Sequence, residues 1–434
     1  MHERPARVVC AAAVGLALLL AACTGGAPKT SRPLRGARLE VLATWSGAEQ
    51  ERFARVLDAF ERSTGAVVTY TSASHRLPEV LDARLAAGRP PDVAFLPQPG
   101  VLRQEAAAGR LVPLDAATEQ LVAAHFAPAF GRLASYRGRL YGVWFKAANK
   151  SLIWYDVATF ERLGVVPPRD LPGLLSLAGR FAAVGVRAFA VAGRDAWTLS
   201  DWFENLYLRL AGPARYDALA AHRIPWTDPS VGQALRLMAQ LLAPDHLAGG
   251  VAGALRTRFE TSVEQVARRP ARAAMVMEAD FVAGVVTART RAVLGADTDV
   301  FAFPAGPDHA AVVVGGGDVA VLLRRSVAGA ALLRFLATPE AAVPWASAGG
   351  FVSPNLDLDL AVYPDEISRT VARRLLEAGD EFRFDLSDLQ PAAFGGSDDV
   401  GLRAELRSFL VHRDVGRTCA RLEAEARAAF ASAP

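Results

Sequence analysis

An α/β protein of two lobes is the fold class this sequence predicts, and three observations carry it. The chain has 434 residues, beyond the size at which one hydrophobic core goes on growing. Its 52% hydrophobic and 21% charged residues suit dense packing and exclude wholesale disorder. From residue 39 onwards, short apolar runs alternate with amphipathic helical patterns, the arrangement that gives parallel strands joined by crossover helices.

Taken in order, Leu39 to Ala43 predicts a strand, and Gly47 to Thr64 a helix with Phe53, Val56, Leu57 and Phe60 on one face. Val67 to Thr71 is a second strand; Leu77, Val80, Leu81 and Leu85 mark a second helix; Asp92 to Leu96 is a third strand. A second lobe begins near "YGVWFKAANKSLIWYD", with a strand over Ser151 to Tyr155 and helices over Leu171 to Ala183, Ser200 to Leu210 and Ser230 to Leu242. Strands follow at Phe301 to Pro304 and at Val312 to Leu323, the latter interrupted by Gly315-Gly316-Gly317. Helices are expected at Ala328 to Ala337, Pro339 to Ser347 and Ser408 to Phe430. In open α/β sheets ligands bind outside the carboxyl ends of the strands, which places Trp45 and Gln98 at the mouth of the first lobe.

The amino terminus carries an export pattern. Arg4 and Arg7 precede an apolar run from Val8 to Leu20, shorter than the roughly 20 residues a spanning helix needs. Leu20-Ala21-Ala22-Cys23 follows and resembles a bacterial lipobox, so residues 1–22 are expected to be a signal peptide and Cys23 to be lipidated. Residues 23–36, rich in Gly, Pro, Ser and Thr, are the expected tether. Of three cysteines only Cys419 then remains, so no internal disulfide is expected; late in a helix, it suits a small buried apolar position. The formal charge of +3 and the lack of a basic run argue against a nucleic-acid partner. Nearly all basic residues are Arg; Lys occurs only at Lys29, Lys146 and Lys150.

Catalytic and cofactor signatures are missing. There is no Gly-x-Ser-x-Gly, His-Glu-x-x-His or phosphate-loop motif, the His residues lack metal-ligand spacing, and "GGGD" lacks the third Gly of a dinucleotide fingerprint. No cofactor, metal or catalytic residue is expected. What stands out is aromatic and acidic residues sharing loops. "DAWTLSDWFEN" holds Asp195, Trp197, Asp201, Trp202, Glu204 and Asn205; "MVMEADFVAG" holds Glu278 and Asp280 beside Phe281; "GGFVSPN" holds Phe351 and Asn355. Sugars need this combination, since their C–H faces stack on aromatic rings while their hydroxyls donate to carboxylates and amides.

Together with "TWSGAEQERFARVLDAFERSTG", "LAAGRPPDVAFLPQPG", "VGGGDVAVLL", "FLATPEAAVPWASAGGFVSPN" and "DLSDLQPAAFGG", these stretches resemble the solute-binding lipoproteins of carbohydrate ABC importers. That is the maltose-binding-like group, and the likeness is closest to α-glucoside-type binding proteins. The resemblance covers essentially all of the chain after the lipobox. It implies a two-lobed periplasmic-binding-protein fold with crossing hinge segments, residues 37–144 and 298–338 forming the N-lobe and 145–297 and 339–434 the C-lobe. It also implies a monomer on the outer face of the cytoplasmic membrane, held there by its lipid alone, that carries an oligosaccharide to the permease transmembrane subunits. The ligand loops carry over to Trp45, Ser46, Gln98 and Asp318 on one lobe, and to Lys146, Asn149, Trp197, Trp202, Glu278, Asp280 and Phe351 on the other. "FLPQPG" departs from many relatives, where a charged residue is common.

Most of these residues also have a purely structural reading. Ser46 and Glu49 fit a Ser-x-x-Glu capping box, which removes Glu49 from the candidate site. Trp45 precedes that cap, but its partner for a hydrophobic staple, Gln50, is polar, which leaves ligand stacking as the expectation. Trp197 and Trp202 suit the core of the following helix equally well. Glu278 and Asp280 fit a solvated face, Asp318 a turn cap, Phe351 a lobe interface, and Lys146 either a cleft ion pair or an exposed hinge charge. The same fold with a glycerophosphodiester, polyol or peptide cargo, an extracytoplasmic glycoside hydrolase, and a sensor are the rival functions.

Overall fold

The computed structural model describes residues 33–308 and 312–432; the expected signal peptide and Cys23 lie outside them. The strands in chain order are β1 (Arg38–Ala43), β2 (Val67–Ser72), β3 (Val93–Leu96), β4 (Ser135–Tyr136), β5 (Arg139–Leu140), β6 (Gly142–Asn149), β7 (Leu152–Asp156), β8 (Phe189–Ala190), β9 (Met275–Met277), β10 (Thr298–Ala302), β11 (Val313–Leu322) and β12 (Phe382–Phe384). β1 lies between β2 and β3, all parallel, with the Gly47–Thr64 and Leu77–Ala86 helices as crossovers. The first helix buries Phe53, Val56, Leu57 and Phe60, as their spacing predicts, and ends at Gly65, whose φ of 78° only glycine adopts freely.

β11 joins β3 antiparallel and β12 parallel, giving the order β12-β11-β3-β1-β2, and β6 also pairs with β11. A second sheet has the order β10-β7-β9-β8. The chain passes from the first sheet to the second between β6 and β7 and returns between β10 and β11. The mixed α/β architecture of two lobes with crossing segments is therefore the one the sequence predicts. Among the described residues, no helix is long and apolar enough to cross a membrane.

Several expectations need correction. Gly315-Gly316-Gly317 does not interrupt its strand but runs inside β11, because the crossing strands approach too closely for side chains. A Cβ at Gly315 would stand 2.2 Å from the Phe382 ring, and one at Gly317 would stand 2.4 Å from the Lys146 carbonyl. The expected helix from Ser408 to Phe430 is two helices, Gly401–His412 and Val415–Ser432, broken at Arg413 with φ 57°. The helix expected from Ser200 begins at Trp197 and reaches Ala220, with a break at Gly212 and Pro213. The tether is shorter than 23–36, since Leu34 and Gly36 already donate backbone hydrogen bonds to Thr64 and Gly65.

The expected lobe boundary at 338/339 also moves. Only Ala337 and Thr338 separate the Val327–Leu336 and Pro339–Ala346 helices, and the second packs on Gly47–Thr64 in the first lobe. β12, expected in the second lobe, pairs with β11 in the first sheet. The last helices do belong with the second lobe: Leu402, Leu406, Phe409 and Leu422 share its core with Trp202, Phe203 and Trp226, and Cys419 is buried there as expected.

Candidate functional site

Side chains from elements of both sheets meet around the β6–β7 crossing in two buried charge networks. The first is centred on Lys146, near the end of β6. Its ammonium lies 2.6 Å from Glu49 Oε1 on the Gly47–Thr64 helix. It also sits 5.1 Å from the centre of the Trp345 ring and 5.5 Å from that of Phe281. Burial opposes the charge on Lys146, but Glu49 and Asp318 outweigh it and hold its pKa above the ordinary value. Asp280 Oδ1 accepts the Asn149 backbone N–H at 2.7 Å, while its Oδ2 is buried without a partner. Burial pushes Asp280 and Asp318 each up to about 6. The Trp45 side chain, beside Asp318, works against that rise.

The second network surrounds Lys150, in the two-residue link between β6 and β7. Its ammonium pairs with Asp201 at 3.1 Å and with Asp385. Asn205 anchors this link by donating to the carbonyls of Lys150 and Asp201 and accepting from the Ser151 hydroxyl. Glu204, one turn from Asp201, accepts the backbone N–H groups of Leu386 and Ser387 at 2.8 and 3.0 Å. Asp388 faces Arg403 at 3.4 Å. Burial pushes Asp201 up to about 7 and Asp388 up to about 8, and raises Glu204 and Glu278 well above the carboxylate range. Burial acts the same way on Asp385, but the Lys150 ammonium and the Ser387 hydroxyl overcome it and hold that group well below its usual range. Asp201, Glu204 and Asp385 are close enough to share a metal ion, yet the Lys150 ammonium already supplies the cation between two of them.

The structure sorts the sequence candidates. Lys146, Asn149, Asp280 and Asp318 come together in the first network. Glu278 lies beside the second, and Gln98 faces Gly396, just after the Ala392–Gly395 helix. Gln98 Oε1 and both Glu278 carboxylate oxygens are buried without partners. Trp197 is half-buried, edged by Phe259 and Phe281, with Lys150 Nζ 5.7 Å from its ring centre. Trp202 is core instead, packed on Phe189 and Phe303. Phe351 stacks on Trp345 and touches Phe145, so it too is packing.

Trp45 has Phe53 at 4.6 Å and Phe95 and Trp345 at 4.9 Å, with only 3% of its surface exposed. The staple argument looked one turn into the helix, at Gln50, whereas the ring reaches Phe53, two turns in. Ser46 is exposed and makes no side-chain cap bond, and Glu49 turns to Lys146, so the capping box does not form. Glu49, Lys150, Asp385, Asp388 and Arg403 were not among the candidates, and Asp201 and Glu204, marked in "DAWTLSDWFEN", were not carried into the site. One signal pointed to part of this set: in a chain whose basic residues are nearly all Arg, two of the three Lys are Lys146 and Lys150.

Two α/β lobes joined by crossing strands, with buried polar side chains at facing strand ends, define a cleft-type receptor that encloses a small solute. The chain matches the bacterial extracellular solute-binding protein family over residues 44–343 and belongs to that family. It is 30% identical over 387 residues to the osmoprotective compounds-binding protein GgtB of Synechocystis sp., covering 87% of this chain and 90% of that protein. It is likewise 30% identical over 383 residues to the alpha-glucosides-binding periplasmic protein AglE of Rhizobium meliloti, covering 85% and 82%. Among solved structures, the bacterial solute receptor AcbH, 19% identical, superposes with a TM-score of 0.79 over 91% of this chain and all of that one.

Proposed function

We propose that this protein is the substrate-binding component of an ABC importer, capturing an α-glucoside-like oligosaccharide between its lobes and presenting it to the permease. The observation that carries this reading is the set of unpartnered acceptor oxygens on Gln98, Glu278, Asp280 and Asp201, buried where the lobes meet and flanked by Trp197. Leaving such groups without donors is costly, and sugar hydroxyls are donors that satisfy several at once. The kinship with AglE supports an α-glucoside as cargo. Contacts to both lobes favour the closed form, so the ligand shifts a pre-existing open–closed equilibrium. The role is capture and release, with no bond broken, and the protein acts as a monomer on the outer face of the membrane through lipid on Cys23.

Titration of the purified protein with trehalose, sucrose and maltose, read by calorimetry and Trp fluorescence, tests the ligand class. Saturable binding with no hydrolysis of the recovered sugar is expected; release of glucose would transfer the site to a hydrolase. Mass spectrometry of the membrane-extracted protein should find diacylglycerol on Cys23, and an unmodified Cys23 would remove the anchor.

A further inference from the structure

The carboxylates around Lys150 outnumber the cations that face them. Asp201 and Glu204 come from the Trp197–Ala220 helix, Glu278 follows β9, and Asp385 and Asp388 follow β12; against them stand Lys150 and Arg403. Three of the five acids are matched. Glu204 takes two backbone N–H groups, Asp385 takes Lys150 and the Ser387 hydroxyl, and Asp388 faces Arg403. Glu278, only 1% exposed, has no donor for either oxygen, and Asp201 has none for Oδ2. The Asp201 charge adds to burial in raising Glu278, so two buried carboxyls this close keep a proton between them when no cation is present.

A neutral hydroxyl gives these oxygens a donor but leaves the surplus charge, so a proton must stay behind. A cation supplies both. We propose that the ligand this cleft selects carries a protonated amine, as an amino-substituted saccharide does, seated against Glu278 and Asp201 beside the Trp197 ring. The proposal rests on the saccharide-receptor reading above and narrows it. The half-exposed face of Trp197, already close to the Lys150 ammonium, suits a cation on a sugar ring. The incoming ammonium displaces the proton these carboxyls keep, so binding releases a proton and tightens as pH rises. Burial pushes Asp201 up to about 7, which puts the change near neutrality.

The test is calorimetric titration of the full chain, in detergent, with trehalose and maltose and with the 2-, 4- and 6-amino-deoxy derivatives of each, at pH 5.5 and pH 8. At least one amine should bind its site about tenfold or more tightly than its neutral parent at pH 8, as a charge-assisted contact should. That advantage should shrink at pH 5.5, and Glu278→Gln, with an undiminished melting temperature as the control, should abolish it. Amines that bind no better than their neutral parents, or a preference that survives Glu278→Gln, would overturn the amine proposal and leave the receptor reading standing. Failure of every sugar, neutral or amino, would remove the receptor reading and the proposal together.

Discussion

Trp45 sits at the centre of a cluster of Phe53, Phe95, Phe145 and Trp345. Trp45→Ala should therefore cost about 3–5 kcal/mol of stability, as large aromatic truncations in cores do. Urea denaturation measures this, and a loss below about 1 kcal/mol would return Trp45 to the cleft surface. Lys150→Met leaves Asp201 and Asp385 buried without their counter-ion, a change that costs about 3–5 kcal/mol. That loss should shrink as pH falls towards 5, because Asp201 then takes up a proton; a pH-independent loss would mean the stem, not the charge, matters. Glu278→Gln should do the reverse, stabilising the ligand-free protein at pH 8 by about 1–2 kcal/mol while weakening sugar binding. A destabilised Glu278→Gln protein would show that the carboxylate is satisfied in the free state.

At the scale of elements, the start of the Pro99–Ala107 helix packs closely against the segment after Leu386–Leu389. A Cβ at Gly100 would stand 2.1 Å from the Gln390 carbonyl oxygen, and Arg103 donates to the Leu389 carbonyl at 2.7 Å. Gly100→Ala should push these segments apart and lower affinity at least tenfold. Small-angle scattering with ligand should then show the mutant failing to contract, and normal contraction would refute the contact's role. The elements themselves were largely legible. Periodicity located the Gly47–Thr64 and Leu171–Ala183 helices, because each buries one continuous stripe. The triglycine was misread because glycine punctuates turns and crowded strands alike, and only the neighbouring Phe382 and Lys146 distinguish the two. The site was half legible: Lys146, Asn149, Glu278 and Asp280 were reached through the resemblance, although periodicity marked neither β6, which holds the first two, nor β9, which the other two follow. Asp385 and Asp388 arrive from a distant segment whose approach is set by tertiary packing alone.

For the whole molecule, the buried carboxylates make stability depend on pH. Asp280 and Asp318 are raised to about 6, Asp201 to about 7 and Asp388 to about 8, in each case by burial first. In the unfolded chain such groups titrate near about 4. Between roughly pH 4 and 8 the folded protein holds protons that the unfolded chain has released, so stability falls as pH rises through that window. Asp385, held low, works oppositely, but its contribution is complete once the unfolded group has ionised. Urea midpoints of the ligand-free protein should thus be higher at pH 5.5 than at pH 8, and the opposite order would show these acids paired in the folded state. The central claim is that the two lobes close on a saccharide. Calorimetric titration with trehalose, sucrose, maltose and their amino derivatives tests it most directly. The account predicts one-to-one binding, with a Kd about micromolar or tighter for at least one of them, weakened at least tenfold by Glu278→Gln. No heat from any of these sugars would contradict it.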